Sequence, residues 1–278
     1  MNAARAIGLL LGAAADGVIG RGELTPIERG LPTAGGLVVA GIVIERATRR
    51  SPVLQALGTA VATWAVLGGA RLATDGTALA RDLEEGRLDE ARGALAELDT
   101  RETESLDVIG LSRATVESLA RHTSDSVVGP MFWGAVAGIP GLVGARALTL
   151  LRVQGPLAEL ASFAPTRVAA ALTVTGAPVV GGSASGAWRA WQRDTVAHPD
   201  PKTGRIEAAF AGALEVRLGG RTAYPSGVQE RPVLGDGRNP DAGHVTRAVE
   251  LSRVVGWLAA ISSAVLALLT GLRRRQTR

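Results

Sequence analysis

The 278 residues carry a net charge of +4, and Lys202 is the only lysine, so the basic excess is arginine. The chain has no cysteine, which excludes disulfides, thiolate metal sites and cysteine nucleophiles. Aromatic residues make up 3% of the sequence, too few for a base-stacking surface, so nucleic acid is not an expected partner.

The N-terminal run Ala6 to Gly20, interrupted by Asp16, and the run Ala34 to Ile44 are short or polar enough to be re-entrant or paired. Arg5 and the apolar run behind it read as a first membrane segment, not a removed signal. Four charge-free windows follow: Val53 to Ala70, Val127 to Ala145, Val168 to Ala187 and Val254 to Leu272. At about 1.5 Å per residue, helices of this length cross a hydrocarbon core of roughly 30 Å. The spacing Gly134-Ala-Val-Ala-Gly138 suits close helix approach in lipid. The expected fold class is all-α: a single polytopic integral membrane domain, residues 1–278, with about four to six membrane segments.

Two polar stretches separate the windows. In the first, residues 71–125, Leu79 and Leu83 lie at helical spacing, Gly86 breaks the run, and Leu88, Ala91, Leu95 and Leu98 resume it. The acidic residues fall on the other face, as in a solvated helical hairpin, and Ser112 is placed to cap a further helix carrying Glu117 and Arg121. Four residues apart, those two read as an ion pair. In the second, residues 183–253, turn-rich segments flank "RIEAAFAGALEVRLGG", read as a helix from about Arg205 to Arg217 closed by Gly219-Gly220. With both stretches on the cytoplasmic side, the last window would deliver "RRRQTR" to the far side, against the positive-inside tendency.

No phosphate-binding G-x-x-x-x-G-K-[ST] loop or G-x-S-x-G elbow occurs, and His122, His198 and His244 lack metal-ligand spacing. Haem, flavin and zinc signatures are also missing. What remains is a set of polar residues near the membrane-facing ends of the two stretches: Glu117, Thr123 and Asp125 in one, and His198, Glu207, Arg217, Asp236 and Arg238 in the other. Carboxylates there suit a hard cation and arginines suit phosphate. "Asp236-Gly237" is equally a turn dipeptide, and "His198-Pro199" equally a helix end.

The segments "VESLARHTSDSVVGPMFW", "HPDPKTGRIEAAFAGALEVRLGGRTAYPSG" and "RPVLGDGR" together resemble the CobD/CbiB family of cobalamin biosynthesis proteins. The resemblance covers most of residues 54–145 and 166–270, and "EAAFAGALEVRLGG" followed by "RPVLGDGR" is its specific part. It implies an adenosylcobinamide-phosphate synthase of a bacterial inner membrane. Such an enzyme joins (R)-1-amino-2-propanol, or its phosphate, to a propionate carboxylate of adenosylcobyric acid, using ATP and Mg²⁺, with other membrane enzymes of the pathway as implied partners. It further implies catalytic roles for Glu117, Asp125, Glu207 and Asp236, with Asp125 and Asp236 at the metal. Thr123, His198, Arg217, Gly219, Gly220 and Arg238 would bind substrate.

The chain departs from the family pattern in places. Arg121-His122-Thr123 stands where relatives read Glu-Asn-Thr, Lys202 where they have Asn, and "ARALTLLRVQGPLAELASFAPTR" lacks their paired aspartates. "ADGVIGRGELTPIERGLP" keeps Asp16 and Gly20 but not the Gly-Asp-Pro and His-Pro-Val of relatives. These departures leave a second reading, a corrinoid-binding or assembly subunit that has lost catalysis. A corrinoid transporter is a third, and it would need ionisable groups within the spans.

Overall fold

The computed structural model describes residues 2–19, 30–151 and 155–276. Twelve helices are found among them: α1 (Asn2–Ile19), α2 (Gly30–Thr48), α3 (Pro52–Val66), α4 (Gly69–Glu84), α5 (Leu88–Leu98), α6 (Val108–His122), α7 (Gly129–Ala137), α8 (Ile139–Leu150), α9 (Pro156–Gly176), α10 (Ala184–Asp194), α11 (Pro201–Leu214) and α12 (Ala242–Gln276). One antiparallel hairpin, β1 (Leu218–Tyr224) and β2 (Gly227–Leu234), lies between α11 and α12. Among the described residues three helical stretches are long and apolar enough to cross a membrane, Pro52–Glu84, Pro156–Val180 and Ala242–Thr270. The all-α membrane class holds, with a small sheet added. The family-like segment at residues 15–32 falls largely outside the described residues, as do residues 152–154 and the end of the arginine-rich tail.

The windows Val53 to Ala70, Val127 to Ala145 and Val168 to Ala187 are not the uninterrupted crossings expected of them. The first is interrupted after α3, where Leu67 is extended at φ −71° and ψ 141°. The second is two short helices, broken at Gly138 with φ +76°, where a Cβ would strike the Glu45 carboxylate. The third ends as helix at Val180, because Gly181 turns left-handed at φ +67° and Ser183 caps α10. Apolar content alone does not reveal these breaks, since a glycine inside an uncharged run costs nothing in hydropathy.

The chain forms two compact units. The first comprises Met1–Arg71, Asp125–Pro165 and Gly256–Arg278. Its core joins Leu9, Leu67, Val127, Met131, Leu142 and Ala260. Ile7, Val43, Val61, Ile261 and Leu269 face outward, an apolar exterior suited to lipid. Helix α1 meets α3 through Gly8 and Gly12. A Cβ on Gly8 would lie 2.5 Å from the Thr59 Cβ, and one on Gly12 would overlap Thr63 and sit 2.5 Å from the Ala60 carbonyl oxygen. Small residues four apart on both helices give the close backbone approach by which helices associate in lipid. Gly12→Leu is therefore expected to lower the unfolding stability in detergent by about 1–3 kcal/mol through overpacking. Gly93→Ala, at an exposed helical position with open space around it, should do no harm in the same thermal melt.

One buried ion group locks this unit. The Glu45 carboxylate accepts from Arg5 at 2.7 Å, from Arg49 at 2.9 Å and from the Ile139 backbone N–H at 2.8 Å, so it ties α1 and α2 to the start of α8. Arg146 donates to Ser126 at 2.6 Å. Arg5, Glu45 and Arg146 thus lie inside this apolar unit with polar partners, the arrangement a low-dielectric surrounding demands.

The second unit comprises Leu72–Ser124 and Thr166–Val255. Helix α6 is buried along most of its length, and α11 is buried from Ile206 to Leu214. The cap of α6 is Asp107, whose Oδ1 accepts from the Gly110 N–H at 2.7 Å. Ser112, expected to be the cap, is a buried interior residue: the cap lies five residues earlier, where Asp107 accepts an orphan N–H of the first turn. The expected helix from Arg205 to Arg217 is α11, shifted toward its N-terminus. Asp200 caps it and Pro201 opens it, and Glu215 ends it in the left-handed conformation at φ +58°. Gly219 and Gly220 do not close a helix. They lie in β1 with φ +80° and +84°.

Candidate functional site: a buried arginine–carboxylate cluster

Four segments of the second unit converge on one group of charges. Helix α6 supplies Glu117, Ser118 and Arg121, the α5–α6 connection supplies Asp99 and Arg101, the middle of α11 brings Glu207 beside His198, and β2 supplies Arg231. The hairpin register sets Arg231 opposite Gly220. The connection is tied to β1 by a bond from the Glu102 N–H to the Ala223 carbonyl at 3.0 Å.

Half of the cluster is closed. Glu117 Oε2 accepts from Arg101 at 2.9 Å, and its Oε1 accepts from the Gly219 backbone N–H at 2.7 Å. Gly219 is needed there, since a Cβ would overlap the Pro232 carbonyl. Asp99 pairs with Arg101 at 2.9 Å and with Arg121 at 3.4 Å, and accepts from Ser118 at 2.6 Å. Burial alone would raise the Asp99 pKa, but Arg101, Arg121 and the Ser118 hydroxyl hold it well below the usual carboxylate range. The expected Glu117–Arg121 pairing is replaced: Glu117 takes Arg101, and Arg121 turns to Asp99.

The other half is open. Glu207 is fully buried, and both its carboxylate oxygens lack a hydrogen-bond partner, as do His198 Nε2, Arg121 Nε, and Arg231 Nε and NH1. These groups face each other just beyond bonding distance: Arg121 at 3.7 Å, His198 at 3.6 Å and Arg231 at 3.9 Å from the Glu207 oxygens. Burial, with the Glu117 carboxylate nearby, pushes the Glu207 carboxyl up to about 8 against the pull of the arginines. Burial, with Arg231, lowers the His198 pKa, which keeps the imidazole neutral. Its Nδ1 lies 2.6 Å from the Asp200 carbonyl oxygen and 3.1 Å from the Asp200 backbone N; the shorter contact assigns the ring proton to Nδ1, which makes Nε2 the acceptor facing Glu207.

The sequence-derived candidates divide accordingly. Glu117, Glu207, His198 and the Gly219 backbone come together, with Gly220 next along β1, opposite Arg231. Thr123 stands outside the cluster as part of a π-helical turn, Thr123–Val128; it donates to the Leu119 carbonyl at 2.6 Å and bonds Ser252 at 2.7 Å. Asp125 belongs to the first unit. Arg217, Asp236 and Arg238 build a separate clasp: Arg217 donates to the Gly237 carbonyl at 2.7 Å, Arg238 donates to His244 at 3.2 Å, and Asp236 is gripped by Arg193 at 2.7 and 2.9 Å. A cavity of about 170 Å³ lies beside this clasp, lined by Arg189, Ala211, Glu215 and Asp236 among others.

Sequence reasoning missed Asp99, Arg101 and Arg231 as site residues. Asp99 and Arg101 follow a helix of ordinary solvated appearance, and nothing in their spacing marks them. Arg231 opens the segment "RPVLGDGR", so a signal was present without a role.

A protein-held Mg²⁺ ion asks for several convergent oxygen ligands. Among the described residues no group of three His, Cys, Asp or Glu side chains converges. Asp236 is occupied by Arg193, and the open oxygens of Glu207 face cationic groups. The residues present do not fit such an ion.

The model of the CobD/Cbib protein family matches residues 23–152 and 156–252. The chain belongs to the CobD/Cbib family. The cobalamin biosynthesis protein CobD of Mycobacterium tuberculosis (strain ATCC 25618 / H37Rv) is 42% identical, over 87% of this chain and 80% of that protein. Its namesake in Mycobacterium bovis is 38% identical over 98% of this chain and 97% of that protein. The CobD of Chromobacterium violaceum is 34% identical over 81% and 75%. No solved structure matches. The CobD/Cbib match takes in every residue of the buried cluster, from Asp99 to Arg231.

Proposed function

We propose that this CobD/Cbib protein acts in cobalamin biosynthesis as an amide-forming synthase of a bacterial inner membrane. It would join (R)-1-amino-2-propanol, or its phosphate, to a propionate carboxylate of adenosylcobyric acid. A carboxylate is inert to an amine until its oxygen becomes a leaving group. Transfer of the ATP γ-phosphoryl group to that oxygen makes an acyl phosphate. The amine nitrogen then attacks the carbonyl carbon, the C–N bond forms, the C–O bond to phosphate breaks, and the amine proton leaves to solvent. The chain's own part is to hold the reactants together and keep water from the acyl phosphate. Family membership at 42% identity carries this reading; the buried arginine-rich cluster, with a carboxyl group left open, supports it. Mg²⁺ finds no ligand set among the described residues and is left with the nucleotide.

One observation favours the second reading, a subunit that binds corrinoid without catalysing: no group of three metal-ligating side chains converges among the described residues. A reconstitution separates the two. Detergent-purified protein is mixed with adenosylcobyric acid, aminopropanol or aminopropanol phosphate, ATP and Mg²⁺, and the corrinoids are followed by mass spectrometry. Amide product above a control without protein is expected. Corrinoid binding without product would sink the synthase reading in favour of the subunit.

A further inference from the structure

The open half of the cluster is a set of unmatched donors. Arg231 offers two buried N–H groups and Arg121 one, all without acceptors. Glu207, in its acid form, adds an O–H. Carboxylates would be the natural acceptors, yet Asp99 and Glu117 are already bound to Arg101, Ser118 and the Gly219 N–H. Charge counting points the same way. Arg101, Arg121 and Arg231 face Asp99, Glu117 and Glu207, so a proton on Glu207 leaves the group one positive charge in excess.

The side chains of Glu207, His198, Glu117, Asp99 and Arg101 are at most 4% exposed, whereas Arg121 keeps 27% and Arg231 14%. What exposure the cluster keeps thus lies on the Arg121 and Arg231 side chains, although their unmatched nitrogens are themselves buried. Leaving a buried donor unmatched costs about 1–3 kcal/mol, and more when it is charged. Such a cost is typically retained where a ligand supplies the missing acceptor.

We infer that Arg121, Arg231 and Glu207 form an oxyanion site whose ligand is a phosphate monoester. Donors from two guanidinium groups and a carboxylic acid suit a tetrahedral dianion with several acceptor oxygens better than a planar carboxylate. His198 Nε2 lies 3.6 Å from Glu207 Oε2, the oxygen that Arg231 also faces at 3.9 Å, and is the acceptor for the acid O–H when no anion is bound. The inference rests on the amide-ligation reading only in naming the ester as the phosphate end of the amino-alcohol substrate. Binding draws a proton onto Glu207 from solvent when the pH lies above its pKa. Asp99, Glu117, Arg101, Arg121, Arg231 and His198 are the charged and titratable groups that face it.

The test is calorimetric titration of the full-length protein in detergent with inorganic phosphate and, separately, acetate, in two buffers of different ionisation heat. At about pH 9, where free phosphate is already the dianion, phosphate is expected to bind with uptake of about one proton. Acetate should bind at least about tenfold more weakly. Arg231→Gln should weaken phosphate about ten- to a hundredfold and Arg231→Lys nearly as much, while Arg87→Gln, a distant surface charge, changes nothing. Glu207→Gln should bind phosphate without proton uptake. Acetate binding as tight as phosphate, undiminished binding in Arg231→Lys, or proton uptake persisting in Glu207→Gln would each overturn the inference. So would an unaltered protein whose unfolding midpoint does not rise with phosphate, a readout that needs no variant. Neither corrinoid nor ATP is present, so failed amide synthesis with intact phosphate binding sinks only the ligation reading, and the converse sinks only this one.

Discussion

Glu207→Gln is expected to stabilise the protein in alkaline solution and to flatten its stability against pH. The Glu207 pKa rises from an ordinary 4.5 to about 8 on folding. Between those values the folded state holds a proton that the unfolded state has released, so unfolding free energy falls as pH rises. The slope is about 1.4 kcal/mol per pH unit, ending near the folded pKa. A glutamine keeps the shape, cannot ionise, and removes that loss. His198 acts with the opposite sign, since its lowered pKa costs stability as pH falls below about 6.5, and it is common to parent and variant. The check is a denaturant series in detergent from about pH 5 to 9 for both proteins, taking the difference of slopes. Parallel slopes would mean that Glu207 is not the buried titrating acid. The direction matters for function. A position where an uncharged substitution stabilises the fold is one where the acid is kept for another purpose.

The parts of this fold legible in the sequence are those governed by periodicity and charge exclusion. The spacing of Leu79, Leu83, Leu88 and Leu95 located α4 and α5, with the turn at Gly86, and the last apolar window falls within α12. Helix breaks were less legible because Gly138 and Gly181 act through φ, which leaves no mark on hydropathy. The hairpin was hidden by Gly219-Gly220. Glycine after an amphipathic run reads as a helix stop, and here Glu215 stops the helix first.

The site was half legible. Glu117, His198 and Glu207 stood in segments with family resemblance, and the structure brings all three to one place. Asp99 and Arg101 had no local signal, and Arg231 stood in a family-like segment without a role, because what makes them special is burial created by distant packing of α6, α11 and β2. Arg121 is instructive. Read alone, an arginine in place of an acid spoils a cation site. In the structure it satisfies Asp99 and contributes a donor to the open half, so this chain's cluster is arranged for an anion.

The largest loss of stability is expected from Arg101→Met. Its guanidinium is 4% exposed and neutralises two carboxylates at once, Asp99 and Glu117, each at 2.9 Å. Methionine fills much of the volume but strands both charges, and breaking a buried pair on one side costs about 3–5 kcal/mol. Ser118 and Arg121 still hold Asp99, and Gly219 still holds one oxygen of Glu117, so each acid keeps part of its solvation. Adding Glu117→Gln to Arg101→Met should recover part of the loss, because one stranded charge disappears while the bond from the Gly219 N–H retains an acceptor. Acid sharpens the comparison. The depressed Asp99 pKa contributes stability that is complete above its ordinary 3.8 and drains away as pH falls toward the folded value. Without Arg101 that value climbs and the acid-sensitive contribution shrinks, so parent and variant should converge below about pH 3. A loss under about 1 kcal/mol at neutral pH, the size of an exposed ion pair, would mean that solvent reaches Arg101 and that the cluster is not the closed scaffold on which the open half depends.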